Sequence, residues 1–362
     1  MTTDSTQTTD HDSTKLRFDW RDLPAATAHL PGTGGRIRSE IDDFVVAEIP
    51  SYLPSGAGDH VYVNVEKRAL ATMDLVRHLQ RQGVPERDVG FAGQKDKYAV
   101  TRQWLSVHEE YASQLETLAG MDGVKVLETS RHRNKLGLGH LRGNSFELRV
   151  RDPVADWQPR ADAVIAHLQA VGLPNYFGPQ RFGHFDTNAS DAVRIIRGEK
   201  VPGGRRMHKF YQSALQSHIF NTLLKLRMEG GTYESIISGD MAQKHKTGGM
   251  FIVDDPDAES TRAQALEISA VLPMFGKKVK LSKGEAGEIE AGVLLKLDLE
   301  WKDFRAAHGA RRASRAKLDG VGLKPTDDGY LVSFTLPKGS FATCLMRELM
   351  KDEDGALAGD DG

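Results

Sequence analysis

The chain has 362 residues, 39% of them hydrophobic and 27% charged, with a formal net charge of −2. That length allows two domains and a sizeable core, and the composition is that of an ordinary soluble protein. No apolar run reaches membrane-spanning length, the polar, acidic start is unlike a signal peptide, and a lone cysteine, Cys344, excludes an internal disulfide and a cysteine metal site.

A reducing, cytoplasmic setting is therefore expected. The net charge is not that of a protein coated in positive charge, so a nucleic-acid partner would need basic residues gathered on one surface.

Residues 1–14 are polar and aperiodic and read as a disordered tail, matched by an acidic tail over 353–362. Arg36-Ile37-Arg38 begins the fold. Asp43 to Glu48 reads as a strand with Phe44 and Val46 on one face, and His60 to Val65 as its antiparallel neighbour. Thr72 stands where a helix cap belongs, before a Leu75, Val76, Leu79 stripe that ends at Gly83.

Gly90-Phe91-Ala92-Gly93-Gln94-Lys95-Asp96-Lys97 follows, then a strand from Thr101 to Val107. The two glycines admit a tight loop that brings Asp96 between two lysines, and nearby positive charge favours an ionised carboxylate. Such a group can act as nucleophile or general base, but a charged hairpin turn has the same pattern.

Gly93-Gln94-Lys95-Asp96-Lys97-x-Ala99-Val100-Thr101-x-Gln103-Trp104 resembles the signature of the TruD family of tRNA pseudouridine synthases.

Further along, Arg131, Arg133, Lys135 and Arg142 form a basic run with no acid before Glu147, suited to phosphate contacts or to a solvated sheet edge. Its glycines miss the dinucleotide fingerprint, and no helix pattern follows. The run is similar to the family's R-N-K-L-x-L-G-x-L-x-G-N-x-F, which places Asn144 and Phe146 on its Asn and Phe. A helix is expected over 156–171.

Pro174 to Gly183, rich in Gly, Pro, aromatics and Arg181, marks a domain junction and resembles the family's N-Y-F-G-x-Q-R-F-G. A basic loop over 200–209 carries Arg205 and Arg206 and precedes a helix over 211–227. Strand fragments over 250–253, a helix over 262–270 and a basic helix over 305–317 with Arg311, Arg312 and Arg315 on one turn are also expected. Tyr330 to Leu336 alternates as a strand, and Ser340 is positioned to cap a helix over 341–350. This end is similar to the family's F-x-L-P-x-G-S-[FY]-A-T.

No metal-ligand spacing, nucleophile elbow or phosphate loop is present, so the chemistry must come from acids, bases and positioned cations without cofactor or metal. The resemblance runs from about Gly34 to Met350. It implies an α+β fold: a mixed, largely antiparallel catalytic domain over 15–171 and 321–352, with an inserted α/β domain over 172–320 forming a cleft.

It also implies isomerisation of a tRNA uridine, at position 13 in bacterial family members, flipped from its stack toward Asp96. Phe146 and Phe44 would line the pocket, with Asn144 orienting the loop and Lys95 and Arg38 at the substrate. Family members often have Lys near Arg38. RNA would lie on Arg131, Arg133, Lys135, Arg142, Arg181, Arg205, Arg206, Arg311 and Arg312, and the protein would act as a monomer. A non-catalytic RNA-binding protein and a glycoside hydrolase remain the alternatives. The hydrolase needs a second carboxylate, and none lies near Asp96 in sequence.

Overall fold

The computed structural model describes residues 16, 19–183 and 187–351. Both expected tails, 1–14 and 353–362, lie outside these residues. The described residues divide into two compact units, one of Ala25–Asn175 with 315–351, the other of Tyr176–Ser314 with those up to Pro24.

The first unit opens with β1 (Phe44–Pro50) and β2 (His60–Arg68), followed by α1 (Thr72–Arg81). Val61, Val63 and Val65 alternate along β2 and bury one face against Leu75, Val76 and Leu79 of α1. Each such side chain contributes about 1.5–3 kcal/mol when fully removed from water. Next come β3 (Gly90–Phe91), β4 (Val100–His108), α2 (Ala112–Glu116), β5 (Val124–His132) and β6 (Leu141–Arg151). Then α3 (Trp157–Val171) and β7 (Leu173–Pro174) lead to the second unit.

The second unit holds α4 (Asn188–Ile196), α5 (Arg205–Glu229), β8 (Met241–Lys244), β9 (Met250–Ile252), α6 (Pro256–Gln264), β10 (Ile268–Met274), α7 (Gly284–Lys296) and β11 (Ala310–Ala313). Its four strands lie in the order β11-β10-β8-β9, all antiparallel. The chain then returns to the first unit through β12 (Arg315–Ala316), β13 (Asp319–Thr326), β14 (Gly329–Pro337) and α8 (Ala342–Met350).

The large sheet of the first unit runs β13-β14-β6-β1-β4-β2-β5, with β3 also on β4. Every pairing is antiparallel except β1 with β4. This is the expected α+β architecture with a largely antiparallel sheet. Along β14 the alternation expected from the sequence is present, with Tyr330, Val332, Phe334 and Leu336 inward.

Several local expectations are corrected. The strand from His60 is not the neighbour of β1, because β4 lies between them. Thr72 does not cap α1: Ala71 is the cap, and the Thr72 hydroxyl instead donates to Gln103 Oε1. The expected basic loop over 200–209 ends at Gly204, where α5 begins, so Arg205 and Arg206 occupy its first turn.

The helix expected over 262–270 is two elements. Asp255 caps α6 by accepting from Asp257 N at 3.0 Å, and Ile268–Met274 is a strand. A strand buried on both faces loses its alternation and resembles a helical segment in sequence. The stretch 305–317 is likewise not a helix. Ala310–Ala313 pairs with β10, and Arg315–Ala316 pairs with β7. Ser340 does not cap the last helix, whose cap is Phe341 without a side-chain bond.

Candidate active site

Asp96 lies on the loop joining β3 to β4, and the loop is held from four directions. Gly90 enters beneath it: a Cβ there would run into Ser106 Oγ and come within 2.5 Å of the Leu136 carbonyl, so only glycine fits. At Gly93 the nearest atom to a Cβ would be Lys95 Nζ at 4.0 Å, so the tight approach expected of both glycines belongs to Gly90 alone. The Ala92 carbonyl accepts from Gly139 N at 2.7 Å. Lys95 N donates to Thr72 Oγ1 at 2.8 Å, the hydroxyl that is in turn tied to Gln103. Lys67 Nζ donates to the Asp96 carbonyl at 2.9 Å.

The two lysines flanking Asp96 do not share one role. Lys95 turns inward, donating to Asn144 Oδ1 at 2.9 Å and pairing with Glu48 at 3.3 Å. Its side chain is 6% exposed and that of Glu48 1%. It is therefore a buried anchor for the loop. Glu48 and Asn144 face each other in the β1–β6 register, so the sheet presents both to the lysine together. Burial pushes the Glu48 carboxyl up, and the Lys95 charge opposes that rise. Lys97 lies over the ring of its neighbour Tyr98, at 5.9 Å from the centroid.

The cation beside the Asp96 carboxylate is Arg38, with Nη2 at 3.6 Å from Oδ2. The carboxylate is half exposed while the guanidinium is 7% exposed, so the charge partner sits under the site and the acid points outward. Arg38 has φ +56°, a left-handed conformation that costs a non-glycine residue of order 1 kcal/mol or more. Its guanidinium stacks 4.1 Å above the Phe44 ring, a cation–π contact that helps fix it.

Phe44 meets Phe146 edge-on at 6.5 Å, and Phe146 stacks on Phe334 at 5.1 Å with 16° between rings. All three are buried, so they form an apolar floor running from Arg38 along the sheet. Asp96, Arg38, Phe44, Asn144, Phe146 and Lys95 are thus brought to one place.

The expected RNA-binding residues are more dispersed. On the first unit Arg133 and Arg142 are exposed, Arg131 pairs with Glu109 at 2.9 Å, and Lys135 donates to the Arg87 carbonyl. On the second unit Arg205 and Arg206 are exposed. Arg181 bonds Ser213 Oγ at 3.2 Å and lies 5.3 Å from the Phe177 centroid, and burial lowers its pKa. Arg312 lies 4.1 Å over that same ring.

Arg311 is engaged internally, with Glu290 at 3.3 Å, Ser282 Oγ at 3.0 Å and two main-chain carbonyls. A phosphate could draw it out only by leaving the buried Glu290 without its cation, held by Ser282 alone.

A family model for tRNA pseudouridine synthase D (TruD) matches residues 23–199 and 199–349. The chain belongs to the tRNA pseudouridine synthase D family. The protein of that name from Thermus thermophilus is 44% identical over 331 residues, covering 91% of this chain and 92% of the relative. One from an Anaeromyxobacter species is 46% identical over 341 residues, covering 91% and 96%. A solved structure of tRNA pseudouridine synthase D from Methanosarcina mazei superposes with a TM-score of 0.72 at 23% identity, over 93% of this chain and 97% of that one. At that identity the likeness is one of fold.

Of the residues gathered around Asp96, Glu48 and Lys67 were not read as site residues from sequence, Thr72 was read only as a helix cap and Phe334 only as a strand residue. Lys67 left a signal: it continues the inward series Val61, Val63, Val65 on β2, where a lysine is out of place unless something holds it.

Proposed function

We propose that this protein converts a uridine of tRNA, at position 13, to pseudouridine, and that Asp96 carries the reaction. Family membership supports the activity. The observation that supports Asp96 is its divided environment. Its main chain and the preceding lysine are tied into the fold, while its carboxylate is half exposed beside Arg38.

The reaction breaks the C1′–N1 bond and joins C1′ to C5 of the same uracil. N1 ends protonated and C5 gives up its hydrogen, so atoms balance with no redox partner or group donor. A carboxylate can attack the sugar, attack the ring or take a sugar proton, and an ion-paired Asp96 suits each of these. Arg38 holds the acid's direction as the base approaches.

A paired uridine cannot meet a loop carboxylate, so the nucleotide must leave its stack. The Phe44–Phe146–Phe334 stack stiffens the sheet beneath the site, because buried rings in contact leave little freedom to shift. Asn144 orients the loop through Lys95. Exposed Arg133, Arg142, Arg205 and Arg206 supply sequence-independent phosphate contacts.

Pseudouridine mapping on unmodified tRNA transcripts tests this. Product confined to position 13 supports the reading. Product at other uridines only overturns the position, and tight tRNA binding without product favours a non-catalytic RNA-binding protein.

A further inference from the structure

Lys67 is fully buried at the end of β2, and both of its acceptors are main-chain carbonyls, those of Leu70 and Asp96. A buried ammonium is costly, and a methionine of similar length would fill the same space without that cost. What the ammonium adds is a grip on the peptide that carries the reacting acid.

We propose that Lys67 is a positioning residue for pseudouridine formation, its ammonium holding the Asp96 main chain so that the carboxylate stands where the uridine arrives. The proposal rests on the reading of Asp96 given above.

The charges facing Lys67 define when that grip is present. On the loop are Asp96, which favours the ammonium, and Lys95, which disfavours it; on α1 is Asp74, which favours it. Beyond them stand Arg38 on Asp96 and Glu48 on Lys95. The neighbouring strands place uncharged Thr101 and Val124 opposite it. Burial outweighs the acids and lowers the Lys67 pKa to about 8.

Above that pH the proton is lost, and a neutral amine bonds the two carbonyls less strongly than an ammonium. The reaction rate should then fall as pH rises through about 8. Folding does not fall with it on account of this group. A lysine whose folded pKa is depressed binds fewer protons folded than unfolded between about 8 and the ordinary value of 10.5, so its contribution to stability rises there.

The test is the single-turnover rate of pseudouridine formation on a tRNA transcript from pH 6.5 to 9, with tRNA affinity measured alongside. Wild type, Lys67→Met, Lys67→Arg and Asp96→Asn are compared. For Lys67→Met the expected result is a loss of about tenfold to a hundredfold at pH 7, affinity within about twofold, and a flat profile above pH 8. Lys67→Arg, charged throughout, should keep more activity than the methionine variant and also lose the alkaline fall. It reports on the proposal even if the methionine variant fails to fold.

A wild-type rate in Lys67→Met, or an alkaline fall shared by wild type and Lys67→Arg, overturns the proposal. Product from Asp96→Asn would instead overturn the reading of Asp96. An inactive Asp96→Asn beside a fully active Lys67→Met defeats the Lys67 proposal alone.

Discussion

At the scale of single residues, the site depends on one buried ion pair more than on the charges that show at its surface. Lys95 and Glu48 are both nearly inaccessible, and each is the other's compensation. Removing one partner leaves a buried charge or forces its neutralisation, which typically costs 3–5 kcal/mol. Lys95→Met is therefore expected to lower unfolding free energy by about 3 kcal/mol. Glu48→Gln with Lys95→Met should recover much of that loss, because no uncompensated charge remains; denaturant unfolding of the two single variants and the double variant checks the coupling. Asn144, which shares the Lys95 ammonium, ties the same cluster to β6.

At the scale of elements, the site is only as well placed as the packing of β1, β6 and β14. Gly143 sits where β6 passes β14, and a Cβ there would collide with the Leu336 carbonyl. Gly143→Ala must push the strands apart beside Asn144. A loss of about 1–3 kcal/mol in stability, together with slower turnover, is the expected outcome in urea unfolding and single-turnover assays.

In the second unit, His218 lies in α5 with Phe182 edge-on at 6.4 Å, and burial lowers its pKa to about 4. The unfolded chain binds that proton near pH 6.5 and the folded chain only near 4. Stability is therefore lost as pH falls between those values, by on the order of 3 kcal/mol in total. Across that interval the stability of wild type should fall relative to that of His218→Gln as pH drops, since the variant lacks this titration, and a constant difference would contradict it.

How far these elements could be read from sequence followed from how local their causes are. The inward row of β14 and the Leu75, Val76, Leu79 stripe of α1 are set by residues within one element, and both were legible. The order β1-β4-β2 was not, because each strand alternates correctly whichever neighbour it takes. Arg311, Arg312 and Arg315 read as a helical turn, yet pairing with β10 and β7 makes them strand residues. At the site, Asp96, Asn144 and the phenylalanines lay within recognisable motifs. Glu48 ends the strand read from Asp43, but its place under Lys95 was not legible, because an acid near a strand end ordinarily faces water, and only its register opposite Asn144 puts it there.

At the scale of the whole molecule, a net charge of −2 provides no general positive field, so the proposed tRNA contacts rest on local groups of arginines. Arg133 and Arg142 are both exposed on the first unit. Changing both to glutamine is expected to weaken tRNA binding similarly for all sequences and to reduce the slope of log affinity against log salt by about two. A salt titration of the double variant measures this directly; an unchanged slope would place RNA elsewhere. Among the described residues no helix is long and apolar enough to cross a membrane.

In the proposed reaction the half-exposed carboxylate of Asp96, fixed by its buried surroundings, performs the isomerisation. Its most direct test is pseudouridine mapping on an unmodified tRNA transcript with wild-type protein and Asp96→Asn at equal concentration, with tRNA affinity measured for both. Pseudouridine from the wild type, none from the variant and affinity within a few-fold is the predicted result. Pseudouridine from the variant at the wild-type rate would contradict it.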